Sequence, residues 1–383
     1  MSYEYLGKNV IPVALAKEVD RIQEKIVPLS PAEENRAMRL HRESIVIDFH
    51  VHLTILPENL KEYDLLARSG RPATGFEGTR RSGLTGCLVG FAGSMVRRSS
   101  PAPWKFEDLV WDLGVRWADM DHRPDLFMRA YTAADIVRAK EAGRTAILAM
   151  CENTQMVDND LDRLDVLYGL GIRSLGLTYS ARTTAGDGCK ERTDAGLSRF
   201  GLKVIERMNR LGMLIDLSHS SPLASREAVE ASSAPCCASH TFATALHDNP
   251  KGKSDELCAL IASKGGLIGV EAVPNVTCFT PTQSIFDVVD HVDYLVKLVG
   301  VDHVAIGTDC MFGDHVALHY AIADMIGVAD EVHDLPATHM DYIENPGQWP
   351  NITRALVARG YGDEDIRKII GGNILRLLQL TIG

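Results

Sequence analysis

The stretch Ser44-Ile-Val-Ile-Asp-Phe-His-Val-His52 decides how this chain is read. Its first half has the composition of a buried strand, and Asp48, His50 and His52 arrive where that strand runs out. Strand alternation puts residues i and i+2 on one face, so the two imidazoles can converge on one point. Taken alone, the pattern is as often a pair of polar loop residues, and the rest of the chain must decide.

Seven further apolar runs follow: LTGCLVGFA from Leu84, TAILAMCE from Thr145, IRSLGLTYS from Ile172, GMLIDLSH from Gly212, APCCASH from Ala234, GGLIGVEAV from Gly265 and DHVAIGTD from Asp302. Stretches of helical period separate them. Ser221 is an N-cap with Pro222 in the first turn, and Leu202, Ile205, Met208 and Leu211 form an apolar stripe stopped by Gly212. Ile285, Val289, Val292 and Val296 form another, ending at Gly300. Eight strands alternating with helices predict an α/β fold, a (β/α)8 TIM barrel, with a doubly wound open sheet as the alternative. Residues 1–43 read as an N-terminal helical extension, broken at Pro28 and Pro31, and residues 44–383 as the barrel. Two long βα loops, His52 to Gly83 and Cys310 to about Asn351, have the length of lids or specificity elements.

The 383 residues are 45% apolar and 24% charged, an ordinary globular composition. A net charge of -11 argues against nucleic acid as a partner, because phosphate binding needs a basic surface. A small molecule or peptide is the expected ligand. The start MSYEYLGKNVIPVALAKEVDR lacks the basic and apolar pattern of a secretory leader, and no run approaches membrane-spanning length. The eight cysteines contain no CxxC pair and read as reduced structural thiols, so the expectation is a soluble cytoplasmic protein with no membrane partner.

The strand ends carry the chemistry. His50 and His52 follow the first strand, Glu152 the third, Tyr179 the fourth, His219 the fifth, His240 the sixth, Glu271 the seventh and Asp309 the eighth. In a barrel all of these lie at the C-terminal mouth. Imidazole and carboxylate suit Zn²⁺ and related divalent ions. A carboxylate such as Glu152 can bridge two ions with two histidines on each side, and ions about 3.5–4 Å apart can activate one water between them. Asp309 is then free to move a proton to a leaving amine.

From Ile45 onward the chain resembles the membrane (renal-type) dipeptidase family of the amidohydrolase superfamily. The resemblance rests on IDFHVH, AMCENTQ, GLGIRSLGLTYS, GLSRFGLKVIERMNRLGMLIDLSHSS, SHTFATALHDNPKGKSDE, VAIGTDCMFG and the C-terminal ENPGQWPNITRALVARGYGDEDIRKIIGGNILRLLQ. It implies two Zn²⁺ ions per chain, Glu152 bridging, His50 on one ion, His219 and His240 on the other, Asp309 as proton shuttle, and a homodimer. Four positions depart from the family pattern. His52 stands where the family usually has Asp, and Tyr179 where it has a His that polarises the scissile carbonyl. Lys251 replaces an Arg that grips the substrate carboxylate, and Glu271 replaces an Asn. A phenol can still donate to an oxyanion, whereas Lys lacks the bidentate fork of Arg.

The expectation is therefore a binuclear zinc hydrolase of an amide C–N bond. Asp309 and Tyr179 are its catalytic residues, and His50, His52, Glu152, His219 and His240 its metal ligands. Lys251, Glu271 and Tyr179 contact substrate. A metal-dependent lyase or decarboxylase on the same scaffold, another hydrolase of that superfamily, or a non-catalytic binding protein are the alternatives. Arg80, Arg81, Arg97 and Arg98 read as solvated surface charges rather than an anion-binding rim, and His315, His319, His333 and His339 as surface histidines of the last long loop, with an approach of that loop to the metal mouth as the alternative. Gly371-Gly372-Asn373 reads as packing or a turn rather than a phosphate loop.

Overall fold

The computed structural model describes residues 2–7, 10–91, 98–100, 104–326 and 334–383, with backbone alone for 324–326. Each of the eight apolar runs forms a strand: β1 Ile47–Val51, β2 Gly86–Phe91, β3 Thr145–Cys151, β4 Ile172–Gly176, β5 Leu214–Asp216, β6 Cys237–Thr241, β7 Leu267–Val270 and β8 Val304–Ile306. They pair side by side in chain order, all parallel. The seam between β8 and β1 is bridged just above the strands. Asp309 N–H donates to the His50 carbonyl at 2.8 Å and His52 N–H to the Cys310 carbonyl at 2.9 Å. The result is a nearly closed TIM-type barrel, not an open sheet.

Ile47, Phe49, Leu88, Leu148, Met150 and Leu267 share a buried cluster with Ile374 and Leu377 of the C-terminal helix Asn373–Thr381. Ile147, Ala149 and Cys151, which alternate with them on β3, belong to the larger cluster that includes the surrounding helices. Phe49 and His50 are neighbours, yet Phe49 joins the inner cluster and His50 the mouth. A register break between Asp48 and Val51 reconciles the two, since a bulge re-aims the side chains that follow it.

Ser221 caps the helix Pro222–Ala231 as expected, its side chain accepting from Ala224 N–H at 3.2 Å. The helix Arg199–Leu211 is rotated from its predicted stripe. It buries Gly201, Val204, Ile205 and Met208, whereas Leu202 is exposed. Gly201 sets that rotation: a Cβ there would lie 2.0 Å from the Ala185 carbonyl, so only glycine lets the helix rest on that loop.

The N-terminal extension is less helical than predicted. Among its described residues it has one short turn, Glu4–Leu6, and one helix, Pro31–Glu43. The helix starts at Ser30, whose capping box with Glu33 and the Pro31 that follows supply a start signal that the preceding residues lack. A short strand, Phe127–Arg129, also went unread; it pairs with the first half of β3 and leaves the second half to β4. Three residues are too few to show alternation.

The first long connection contains the antiparallel ribbon Thr54–Ile55 with Ala73–Thr74 and the helices Tyr63–Ser69 and Phe76–Ser82. The second reaches across to it, Leu56 N–H donating to the Phe312 carbonyl at 2.7 Å. Gly371 packs against β1, where a Cβ would lie 2.3 Å from the Ile45 carbonyl, so the Gly371–Asn373 segment is a packing element as expected. Among the described residues no helix is long and apolar enough to cross a membrane. No disulfide joins any two of the eight cysteines.

Candidate metal centre

The five histidine and glutamate residues read as ligands converge at the barrel mouth. His50 Nε2 and His52 Nε2 are 3.3 Å apart, and His219 Nε2 and His240 Nε2 are 3.0 Å apart. Glu152 reaches both pairs, with Oε1 3.5 Å from His52 and Oε2 3.9 Å from His219. Asp309 Oδ1 lies 3.4 Å from His50 Nε2 and 3.3 Å from His52 Nε2. Three overlapping groups can each hold a cation: His50, His52 and Glu152; Glu152, His219 and His240; His50, His240 and Asp309.

These side chains fit a metal better than they fit one another. Burial holds His219 and His240 well below the ordinary imidazole range, with the nearby Lys251 charge adding to it, so both are neutral and carry a lone pair. Two Zn–N bonds of about 2.0–2.1 Å in tetrahedral geometry place their nitrogens about 3.3 Å apart, close to both observed pairs. Glu152 Oε1 is buried without a hydrogen-bond partner. Such an atom is costly unless a cation or water meets it.

Local structure aims the ligands. His240 sits within β6, and its Nδ1 lies 2.8 Å from Ser239 Oγ, which donates in turn to Asp216. That chain keeps the His240 proton on Nδ1 and leaves Nε2 free toward the mouth. Lys253 is fully buried, and its ammonium donates to the Ser218 and Ser220 carbonyls at 3.1 and 3.0 Å, clamping the loop that presents His219. Asp309 has a left-handed φ of 56°, a conformation Asp tolerates, immediately after the seam that joins β8 to β1. Its burial would raise its pKa, but Lys251, His50 and His52 outweigh that and hold it well below the usual carboxylate range.

Tyr179 stacks on His219 with ring centroids 4.1 Å apart. Burial, reinforced by Glu152 and Asp309, pushes its phenol far above its ordinary range, so it keeps its proton and remains a donor. Lys251 and Glu271 face one another in an ion pair, and Lys251 Nζ is 3.5 Å from Asp309 Oδ2. Burial pushes the Glu271 carboxyl up to about 7 against the opposing pull of Lys251. Lys251 lines a cavity of about 280 Å³ above the centre, whereas Glu271 lies behind it with no exposed surface.

That cavity corrects one expectation. His315 and His319 are not surface residues of a loose loop; they sit one turn apart on the helix His315–Ile326, half-buried, and line the cavity with Tyr179 and Lys251. Their i, i+4 spacing puts both on one helix face without saying what that face meets. His339 instead lies 3.2 Å from Asp341, away from the cavity, and His333 falls outside the described residues. Arg80, Arg81 and Arg98 pair with Asp125, Glu77 and Asp64 at the surface; Arg97 also falls outside the described residues. Asp216, Ser239 and Lys253 were missed, because a residue that supports a ligand from behind leaves no spacing pattern.

The chain is similar to dipeptidase tcpJ of Claviceps purpurea, 27% identical over 263 residues, covering 68% of this chain and 56% of that protein. It is also 27% identical to dipeptidase 3 of Rattus norvegicus over 254 residues, covering 65% and 47%. It thus spans about half the length of these curated relatives. The fold matches an amidohydrolase from Pseudomonas aeruginosa with a TM-score of 0.77 and 29% identity, over 91% of this chain and 99% of that one. It also matches a Rhodobacter sphaeroides metallopeptidase liganded with a phosphinate mimic of L-Ala-D-Ala, with a TM-score of 0.69 and 22% identity, over 88% and 100%. The model of the membrane dipeptidase family, Peptidase M19, matches residues 34–321. That match covers three quarters of the sequence, and this chain belongs to the Peptidase M19 membrane dipeptidase family.

Proposed function

We propose that the protein is a binuclear zinc-dependent hydrolase that cleaves the amide bond of a dipeptide or a similar small substrate. The observation that carries this reading is the Glu152 carboxylate set between two imidazole pairs, with Asp309 beside one of them. His50 and His52 would hold one ion, His219 and His240 the other, and Glu152 both. Bound there, the ions supply a water acidified toward neutral pH and a polarised carbonyl.

The chain's own residues do the rest. Asp309, ionised and directed into the cavity, accepts the proton of the attacking water and delivers it to the leaving nitrogen. The C–N bond breaks as the water oxygen joins the acyl carbon, giving an acid and an amine. Tyr179, protonated at working pH, donates to the oxygen on which negative charge develops. Lys251 fixes the far end of the substrate. Eight cysteines that form no disulfide with one another favour a reducing, cytoplasmic setting. We take residues 1–43 as an extension packed on the barrel and the assembly as a homodimer.

The test is metal content of the purified protein together with release of amino acids from a panel of L,L- and L,D-dipeptides and their amides. About two zinc ions per chain with turnover supports the reading. A protein that retains no divalent ion, or that releases carbon dioxide without hydrolysing any amide, refutes it.

A further inference from the structure

The two imidazoles that share one ion site are oriented by different means. His240 is held through its ring, whose Nδ1 meets Ser239 Oγ with the Asp216 carboxylate behind it. His219 is not. Its Nδ1 is buried and, among the described residues, has no hydrogen-bond partner. A ligating imidazole normally donates that N–H to an oxygen, which fixes the orientation of the ring. Tyr179 stacks on His219 and limits its tilt, but stacking leaves the ring free to slide toward or away from His240.

The backbone supplies what the ring lacks. Three successive carbonyls of the His219 turn are engaged: Ser218 and Ser220 accept from the Lys253 ammonium at 3.1 and 3.0 Å, and His219 accepts from Cys189 N–H at 2.8 Å. Lys253 is in turn anchored to the segment that follows His240. Its N–H donates to the Phe242 carbonyl at 2.8 Å, and its own carbonyl accepts from Thr244 N–H at 3.1 Å. Ser218 completes the link, its Oγ accepting from His240 N–H at 3.0 Å. One fully buried lysine thus joins the loops that carry both imidazoles, without lining the cavity.

The ammonium is also a cation close to a site for a dication. Asp216, within electrostatic reach of Lys253 and behind His240, brings the opposite charge to the same side of the site, so the two offset each other at the ion and the hydrogen bonds decide the outcome.

Resting on the binuclear reading above, we propose that Lys253 is the positioning residue of the ion held by His219 and His240. It aims His219 through the backbone and keeps the two ligand loops in register. The ion at His50 and His52 does not depend on it.

The experiment titrates Zn²⁺ into metal-free wild type, Lys253→Met, His240→Ala and the Lys253→Met/His240→Ala double variant against a chromogenic chelator. Lys253→Met is expected to bind one ion as wild type does and the other about 10–100-fold more weakly, the usual effect of losing a residue that supports a ligand. His240→Ala leaves the ion at His50 and His52, and adding Lys253→Met to it should not change that affinity. A general loss of structure would weaken this remaining ion as well, so the double variant separates positioning from mere stability. Co²⁺ in place of Zn²⁺ gives a visible spectrum sensitive to ligand geometry, and in Lys253→Met only the equivalent that His240→Ala fails to bind should differ from wild type. Should Lys253→Met not fold, Lys253→Gln, which keeps a donor and drops the charge, is read in the same way. Equal weakening of both ions overturns the proposal, and so does a second ion bound unchanged or more tightly, the sign expected if the charge outweighed the hydrogen bonds. A wild-type protein that takes up fewer than two ions refutes the binuclear reading itself, and the assignment of Lys253 falls with it.

Discussion

The indole Nε1 of Trp349 donates to Asp48 Oδ2 at 2.9 Å, joining the first barrel strand to the last connection across 301 residues of chain. The same carboxylate accepts from Thr308 N–H at 2.8 Å, Thr308 Oγ1 at 2.6 Å and His50 N–H at 3.2 Å. Asp48 therefore ties the seam of the barrel two residues before the first candidate ligand.

Burial pushes the Asp48 carboxyl up to about 6 from its ordinary 3.8, against those hydrogen bonds. A folded pKa above the unfolded one means that this stabilisation is full below pH about 4 and lost as pH rises through 6. Urea unfolding of wild type and Asp48→Asn at pH 7 and pH 4 should show the difference between them moving toward wild type on acidification. The change is on the order of 3 kcal/mol, from about two pKa units at 1.36 kcal/mol each. Loss of bound ions at low pH is common to both proteins and cancels. A difference that does not vary with pH would show that Asp48 titrates elsewhere.

Tyr179→Phe keeps the ring that stacks on His219 and deletes only the donor. A lost oxyanion donor lowers kcat by about 10²-fold or more. KM and zinc content should stay near wild type. A variant with full kcat would place the phenol outside the reaction.

Asp309→Asn removes the proton carrier without removing volume. Hydrolysis should fall by about 10²–10⁴-fold, the usual contribution of a positioned acid–base group. Zinc measured by mass spectrometry should remain near the wild-type value. Loss of metal in the variant would reassign Asp309 from shuttle to ligand, as its place beside His50 and His240 also allows.

Glu152 and His240 separate a shared ligand from an unshared one. Glu152→Ala should empty the centre, whereas His240→Ala should leave about one ion per chain, since only one of the paired sites loses a nitrogen. Equal loss in both variants would mean that the two sites fill as one.

Eight strands, their order and the ring of chemistry at their ends were legible in the sequence because each rests on a local signal. Apolar runs of strand length, a Ser-Pro helix start at 221–222 and the HxH after β1 need no knowledge of distant residues. The rotation of the helix Arg199–Leu211 was not legible, because Leu202 and Val204 are equally apolar and only the Ala185 carbonyl against Gly201 decides which of them is buried. Nor was the place of His315 and His319, since surface and cavity histidines look alike until a partner wall exists.

The sequence by itself determined eight strands alternating with helices and the imidazoles and carboxylates at their ends, because periodicity and residue chemistry are properties of short segments; closure of the sheet into a barrel came only with the tertiary contacts across the β8–β1 seam. The tertiary structure decided what each charge in that ring faces. Lys251 and Glu271 are twenty residues apart on successive βα loops, and each alone reads as a group that could meet substrate. Folding sets one behind the other, and the field a substrate would meet is the sum of the two, a quantity that depends on distance in space and not along the chain.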